Sequence, residues 1–141
     1  MDKLKELYKV LTGSDCTACE PIPGAGSNRK YYRLSCEKGK SLIGVQGTSR
    51  DENHAFCYLS KQFAQSKLPV PQVYAVSEDG LYYLQDDLGD TTLFDALKAG
   101  RDAGGRYTSH EKELLRRTIS ALPDIQIRGG RNIDFSHCYP Q

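Results

Sequence analysis

A glycine-rich stretch early in the chain carries groups suited to binding phosphate. It consists of Gly24, Ala25, Gly26, Ser27 and Asn28. Glycine lacks a Cβ, so the backbone N–H groups of such a stretch can approach phosphate oxygens closely, and serine and asparagine add side-chain donors. Three basic residues follow and add positive charge, namely Arg29, Lys30 and Arg33. These residue types indicate a phosphate site, and they are also the types that an ordinary hairpin turn uses.

Two familiar phosphate-binding motifs do not fit this stretch. The dinucleotide-binding fingerprint requires a helix directly after its glycines, whereas the tyrosine pair at 31–32 favours a strand. A Walker A loop would require a glycine where Leu34 stands, ahead of the Gly-Lys-Ser at 39–41. A glycine-rich turn between two antiparallel strands, which covers nucleotide phosphates from above, fits the strand–turn–strand context. On local sequence, an ordinary hairpin turn explains the stretch equally well.

Strand and turn signals on both sides of the glycines predict a sheet. A short segment over 20–23 precedes them, and mixed alternation over 29–36 and 41–46 predicts a hairpin. Apolar runs over 73–76 and 81–85 flank an Asp-Gly pair, which is a strong hairpin signal. Consecutive hairpins imply antiparallel pairing, so the sequence predicts a five-stranded antiparallel sheet.

Helix signals lie before, between and after the predicted strands. Apolar residues over 3–11 share one helical face, and a capping-box pattern over 49–52 begins a second helix. Beyond the sheet, a short helix is predicted over 92–99 with Gly100 as its end, and a second capping box over 108–111 begins another. Strands gathered first and helices last indicate an α+β fold, with one helix packed on the sheet.

The composition argues against several classes of function. Nineteen basic and eighteen acidic residues among 141 give a net charge of +1, whereas a dedicated nucleic-acid binder carries a basic surplus. No window approaches the ~18 consecutive apolar residues of a membrane span, so we expect no membrane partner. Five cysteines, an odd number without an apolar leader segment, are expected to be reduced thiols in a cytoplasmic protein.

Metal sites are not favoured by the sequence. Cys16 and Cys19 have the spacing of half a zinc site, but Cys36 and His54 do not supply a second pair with metal-ligand spacing. Unpaired thiols are therefore the favoured interpretation. Three acidic residues near 90 suit a hinge and a helix cap better than an EF-hand loop, which would need a longer ligand series ending in Glu. These acidic residues are Asp86, Asp87 and Asp90.

Three segments taken together resemble one protein family. They are Ser-Asn-Arg-Lys-Tyr-Tyr-Arg at 27–33, Leu-Pro-Val-Pro at 68–71 and Asp-Leu-Gly-Asp at 87–90. In this order they resemble the aminoglycoside phosphotransferase and choline kinase-like phosphotransferases, which share the protein-kinase fold. More narrowly, the pattern is similar to the bacterial branch that includes anomeric kinases of cell-wall amino sugars. The resemblance covers residues 20 to 95.

The resemblance implies a domain division and an activity. It implies a kinase-like, nucleotide-binding N-lobe over 1–85, a hinge over 86–90 and the start of a helical C-lobe over 91–141. The reaction it implies is phosphoryl transfer from ATP to a sugar or amino sugar, with Mg²⁺ held by a part of the C-lobe that lies beyond this chain.

The resemblance also assigns roles to particular residues. The stretch from Gly24 to Lys30 corresponds to the loop over the phosphates, and 85–88 to the hinge that binds the adenine edge through backbone groups. Gln46 stands where the family's third strand carries a phosphate-pairing lysine, so Lys30 or Arg33 is a candidate substitute. Glu52 is the candidate for the helix glutamate that pairs with that lysine, or simply a helix cap. The residues assigned to nucleotide binding are Gly24, Ala25, Gly26, Ser27, Asn28, Lys30, Arg33, Gln46, Glu52, Gln85, Asp86, Asp87 and Leu88.

The catalytic residues of the family have no counterpart in the sequence. None of the three histidines, at 54, 110 and 137, is followed two residues later by the aspartate of a catalytic loop. We therefore expect the chain alone to be inactive, with the catalytic loop beyond residue 141, and to self-associate through an exposed inter-lobe face. The alternatives are a non-catalytic kinase-like module that binds a nucleotide or a partner, and a generic α+β interaction domain.

Overall fold

The protein is described by a computed structural model that covers residues 1–24, 26–37 and 39–138. It divides into two compact units. The first comprises the described residues of 1–87 together with 133–138, and the second comprises Leu88–Asn132. Ala25, one of the predicted loop residues, lies outside the described residues.

A five-stranded antiparallel sheet forms the centre of the first unit, as the sequence predicts. The strand order is β1-β2-β3-β5-β4, so β3 is the central strand and β1 and β4 are the edges. The α+β class is confirmed together with the sheet. The strands are β1 (Ala18–Ile22), β2 (Lys30–Ser35), β3 (Leu42–Gln46), β4 (Val73–Val76) and β5 (Tyr82–Asp86).

Helix α1 (Asp2–Thr12) covers one face of the sheet. Its buried side chains, Leu4 and Tyr8, pack into a cluster with Leu34, Leu42 and Leu84 from the three inner strands. The close approach depends on Gly44, because a Cβ there would lie 2.5 Å from Leu34 Cδ1 and 3.1 Å from Leu4.

Helix α2 (Arg50–Gln65) covers the opposite face. Successive strand residues point to opposite faces, so Ile43, Val45 and Tyr83 form a second cluster. Phe56 of α2 stacks on Tyr83 with ring centroids 5.3 Å apart. The sheet therefore carries a helix on each face, whereas the sequence predicts one, because the apolar stripe of α1 also needs a surface to bury it.

The start of α2 is fixed by the predicted cap. Ser49 is the N-cap residue, and its Oγ accepts a hydrogen bond from the Glu52 backbone N–H at 3.3 Å. One residue further on, the buried Asn53 donates from Nδ2 to the Gly80 carbonyl at 3.0 Å. These contacts place the first turn of α2 beside the β4–β5 turn.

The second unit contains three short or medium helices: α3 (Leu93–Ala96), α4 (Lys98–Asp102) and α5 (Ser109–Pro123). The predicted capping box between Thr108 and Glu111 is present. Gly100 does not end a helix as predicted but lies inside α4, because its N–H donates to Glu111 Oε1 at 2.8 Å and the Tyr107 ring packs against it. Hydrogen bonds from the Thr108 and Gly100 backbones hold the pKa of Glu111 below its usual range. A π-helical turn, Asp124–Arg128, follows α5.

The segment after residue 132 returns to the first unit and lies on α2. Tyr58 accepts a hydrogen bond at its hydroxyl from the Asp134 backbone N–H at 2.7 Å, and its ring stacks on His137. His54 Nε2 and His137 Nδ1 are 3.0 Å apart. These contacts explain why 133–138 groups with the sheet, whereas the resemblance implies that it belongs to the helical C-lobe.

Candidate functional site

The glycine-rich stretch connects β1 to β2 at one end of the sheet. The last paired residues before it are Ile22 and Tyr31, and Gly24 and 26–28 are exposed. Gly26 has φ 72°, a left-handed conformation that glycine adopts without strain. Ser27 Oγ accepts a hydrogen bond from the Arg29 N–H at 3.2 Å, which shapes the exit from the turn. The predicted loop is thus an exposed turn between antiparallel strands.

Arg29 joins the end of this loop to the first turn of α2. Its Nη2 donates to the Glu52 carbonyl at 3.2 Å and lies 3.8 Å from the Glu52 carboxylate. The guanidinium also lies over the Phe56 ring, with Cζ 5.5 Å from the centroid. The Arg29 side chain is 18% exposed. Glu52 therefore faces a cation from the predicted phosphate loop, and the sequence does not predict this contact.

Lys30 and Gln46 lie on the other face of the sheet. They are paired across β2 and β3 and share the α1 face with Leu34 and Leu42. Gln46 Nε2 donates to the Tyr82 hydroxyl at 3.4 Å. The structure therefore does not bring Gln46 or Lys30 to Glu52, which begins the helix on the opposite face.

Arg33 and Asp87 bind each other. Arg33 Nε donates to Asp87 Oδ2 at 2.7 Å and Nη2 donates to Oδ1 at 3.1 Å, which is a two-point guanidinium–carboxylate pair. Ser41 Oγ adds a third hydrogen bond to Asp87, at 2.7 Å. The Asp87 side chain is only 7% exposed and that of Arg33 is 25% exposed. Through Asp87, which directly follows β5, these hydrogen bonds connect the end of β5 to β2 and to the residue before β3.

Asp86 anchors the predicted hinge on the α1 face. Its carboxylate accepts hydrogen bonds from Lys40 Nζ at 2.8 Å, the Tyr74 hydroxyl at 2.7 Å and the Gln72 N–H at 2.9 Å. Burial of the Asp86 carboxyl opposes its ionisation, but these three donors outweigh it and hold the pKa of Asp86 below its usual value. The Asp86 N–H itself donates to the Gln72 carbonyl at 3.0 Å.

The other two hinge residues differ in their surroundings. Gln85 lies on the α2 face opposite Ile43, and its Oε1 is buried without a hydrogen-bond partner among the described residues. Leu88 is exposed and begins the second unit. The segment 85–88 therefore begins in the last two residues of β5 and ends at the first residue of the second unit.

Apart from Gln85 and Leu88, the predicted site residues that the structure describes fall into three groups. The loop and Glu52 are joined through Arg29; Arg33 and Asp87 form a separate pair; and Lys30, Gln46 and Asp86 lie on the α1 face. Sequence reasoning missed the partners that organise these groups, although basic charge beside the glycines did point to the region of Arg29. The sequence identifies Arg29 as a basic residue of the loop but does not predict its contact with Glu52, and it does not identify Lys40, Ser41 or Tyr74 as partners.

Depressions in the surface lie away from the loop. One of about 640 Å³ is lined by α1 and the β4–β5 turn and includes Lys3, Arg50 and Asp79. Another of about 620 Å³ lies along α2 and β4 and includes Lys61 and Val73. Neither of these two depressions includes a residue of the glycine-rich stretch.

Neither a metal-binding cluster nor a membrane-spanning helix is present among the described residues. Among residues 1–24, 26–37 and 39–138, no group of three or more His, Cys, Asp or Glu side chains could hold a metal ion. Within the same residues, no helix has the length and apolar character needed to cross a bilayer.

Comparison with known proteins gives no family for this chain. A scan against protein-family models finds no match, and a search of curated proteins finds none. The resemblance to phosphotransferases therefore rests on the residues of the chain and stays a hypothesis.

Proposed function

We propose that the chain is the ATP-binding portion of a small-molecule phosphotransferase with a protein-kinase-like N-lobe, acting on a sugar or amino sugar. The observation that carries this proposal is the placement of the glycine-rich turn. It joins two antiparallel strands and is tied, through Arg29, to Glu52 in the first turn of the helix on the sheet. A glycine-rich loop over the phosphates and a helix glutamate that pairs with a cation are parts that kinase-type phosphoryl transfer uses, although the cation there is a strand lysine.

The loop has the chemistry to hold the phosphates of a nucleotide. Gly24 and Gly26 leave the backbone open to approach, and Ser27 and Asn28 are exposed donors beside it. The positive charge of the basic residues that follow the loop attracts the negatively charged phosphates of a nucleotide. Positioning and electrostatic stabilisation supply most of the rate in such reactions, so a loop of this kind contributes directly to the chemistry of the complete enzyme.

The magnesium ion and the catalytic base would come from elsewhere. Mg²⁺ in such sites is held by carboxylates together with the phosphates, and the described residues contain no cluster that could hold a metal. In this proposal the ion arrives with ATP, the segment 85–88 contributes backbone groups to the adenine edge, and the chain alone has no kinase activity. The Asp86 N–H takes no part in adenine binding, because Gln72 already accepts from it.

A second candidate function is a non-catalytic kinase-like module that binds a nucleotide or a partner. The observation in its favour is that β3 turns Ile43 and Val45 toward α2, and not a lysine. Under this alternative the loop still binds a nucleotide or a partner, but a chain extended by any catalytic lobe would not transfer phosphate.

Calorimetric titration of the chain with MgATP tests the proposal. We expect weak binding, because the chain supplies only one side of a nucleotide cleft. Replacing Ser27 and Asn28 together by leucine should abolish it by placing bulky apolar groups where phosphate would lie. The control variant Glu78→Leu makes the same kind of change in the exposed β4–β5 turn and should bind as the unaltered chain does.

Two outcomes of this titration would contradict the proposal. One is an unaltered chain that shows no heat of binding with millimolar MgATP. The other is a loop variant that keeps its fold, by circular dichroism, and binds with unchanged affinity.

A further inference from the structure

The α2 face of the central strand has no cation. Ile43 and Val45 are the β3 residues on that face, and both are buried in the cluster around Tyr83. Gln46 points to the α1 face, where it meets Tyr82. A positive group for nucleotide phosphates on the α2 face must therefore come from another element.

Arg29 is placed to supply that group. Arg29 directly follows the glycine-rich stretch. Its guanidinium lies against Glu52 and Phe56, and its side chain is 18% exposed. The other basic residues beside the loop are placed differently. Lys30 belongs to the α1 face, and the guanidinium of Arg33 is bound at two points by Asp87.

The guanidinium of Arg29 is also incompletely satisfied by the protein. Nη2 donates to the Glu52 carbonyl, but the buried Nε has no hydrogen-bond partner among the described residues. Nearly all buried donors in native proteins have a partner, so an orphaned one calls for an explanation. A guanidinium carries five N–H donors, and the Arg29 side chain is 18% exposed, so a phosphate oxygen can be bound at its exposed part.

We infer that Arg29, held by Glu52, is the phosphate-binding cation of this chain and replaces the strand lysine that β3 lacks. The inference rests on the proposed nucleotide-binding function and deepens it. The Glu52 carboxylate, 3.8 Å from Nη2, orients the guanidinium, while the loop places it at the polyphosphate. In this role Arg29 would contact the phosphate chain and not the base, so the ligand class is a nucleoside triphosphate.

Binding measurements with two nucleotides test this role. The unaltered chain, Arg29→Met and Arg50→Met are each titrated with MgATP and with AMP. Loss of a charge-assisted contact should weaken MgATP binding to Arg29→Met about tenfold or more and leave AMP binding within about twofold. Arg50→Met removes an exposed arginine from the start of the same helix and should change neither affinity. Equal losses for both nucleotides, or no loss for either, would overturn the inference.

An NMR measurement on the unaltered chain covers the case in which Arg29→Met does not fold. The Arg29 Nε–H resonance should shift on addition of MgATP and stay in place with adenosine. If backbone signals show that MgATP binds while this resonance does not move, the inference fails and the proposed function stands. If MgATP shifts no signal at all, the proposed function fails and the inference fails with it.

Discussion

The buried pair between Arg33 and Asp87 gives a quantitative prediction for Asp87→Asn. The carboxylate is 7% exposed and accepts hydrogen bonds from Arg33, at two points, and from Ser41. Breaking a fully buried ion pair by removing one partner costs about 3–5 kcal/mol. Arg33 is 25% exposed, so water can solvate part of its charge, and asparagine keeps one acceptor. We therefore expect Asp87→Asn to lower the free energy of unfolding by about 2–3 kcal/mol.

Urea unfolding followed by circular dichroism measures this change, and a double-mutant cycle assigns it to the pair. Arg33→Met alone should cost a similar amount, and the double variant should lose less than the sum of the two, with a coupling free energy of about 1–3 kcal/mol. Asp15→Asn is the control, because Asp15 forms an exposed pair with Lys9 and should cost under about 1 kcal/mol. Additive losses, or a change below about 0.5 kcal/mol for Asp87→Asn, would refute a structural role for the pair.

Three further predictions concern the core, pH and association. Gly100→Ala should destabilise the second unit by about 1–3 kcal/mol, because the new Cβ would lie 2.1 Å from Tyr107 Cδ1; a thermal melt that matches the unaltered chain would contradict this. The pKa of Asp86 is lowered from its ordinary value of 3.8, so the carboxylate stabilises the fold above pH 3.8 and this contribution is lost as the pH falls through the folded-state pKa. The stability difference between the unaltered chain and Asp86→Asn should thus shrink below pH 3.8, and a difference that stays constant in acid unfolding curves would count against the Asp86 contacts. Exposed apolar side chains in the second unit should make the chain self-associate, and a constant monomer mass in light scattering over a wide concentration range would argue against it. These side chains include Phe94, Ile119, Leu122 and Ile127.

The sheet could be predicted from sequence because its signals are local. Alternation, the tyrosine pair at 31–32 and the Asp-Gly turn at 79–80 each act over a few residues, and all five strands appear close to the expected positions. Which face of the sheet each β3 side chain points to is harder to predict. Leu42 to Val45 is a continuous buried run, as expected of a central strand covered on both faces, and such a run carries no period-two signal. Its sequence therefore does not reveal that Gln46 faces away from α2.

Contacts between distant residues could not be predicted from the sequence. Arg33 and Asp87 are separated by 54 positions, and Arg29 reaches Glu52 only because the sheet and α2 place them together. The same holds for Gly100. Glycine is a local signal for a helix end, but contacts with the Glu111 carboxylate and the Tyr107 ring hold Gly100 inside α4. In each case a tertiary contact decides what the side chain or backbone does.

Mapping MgATP-induced changes in the backbone amide signals of the ¹⁵N-labelled chain tests the proposed nucleotide site most directly. We predict that the shifts are concentrated at Gly24, at 26–29 and at 85–88, with smaller changes in the first turn of α2. Shifts confined to the depression beside α1, around Lys3 and Asp79, would contradict the proposed site, as would a spectrum that millimolar MgATP leaves unchanged.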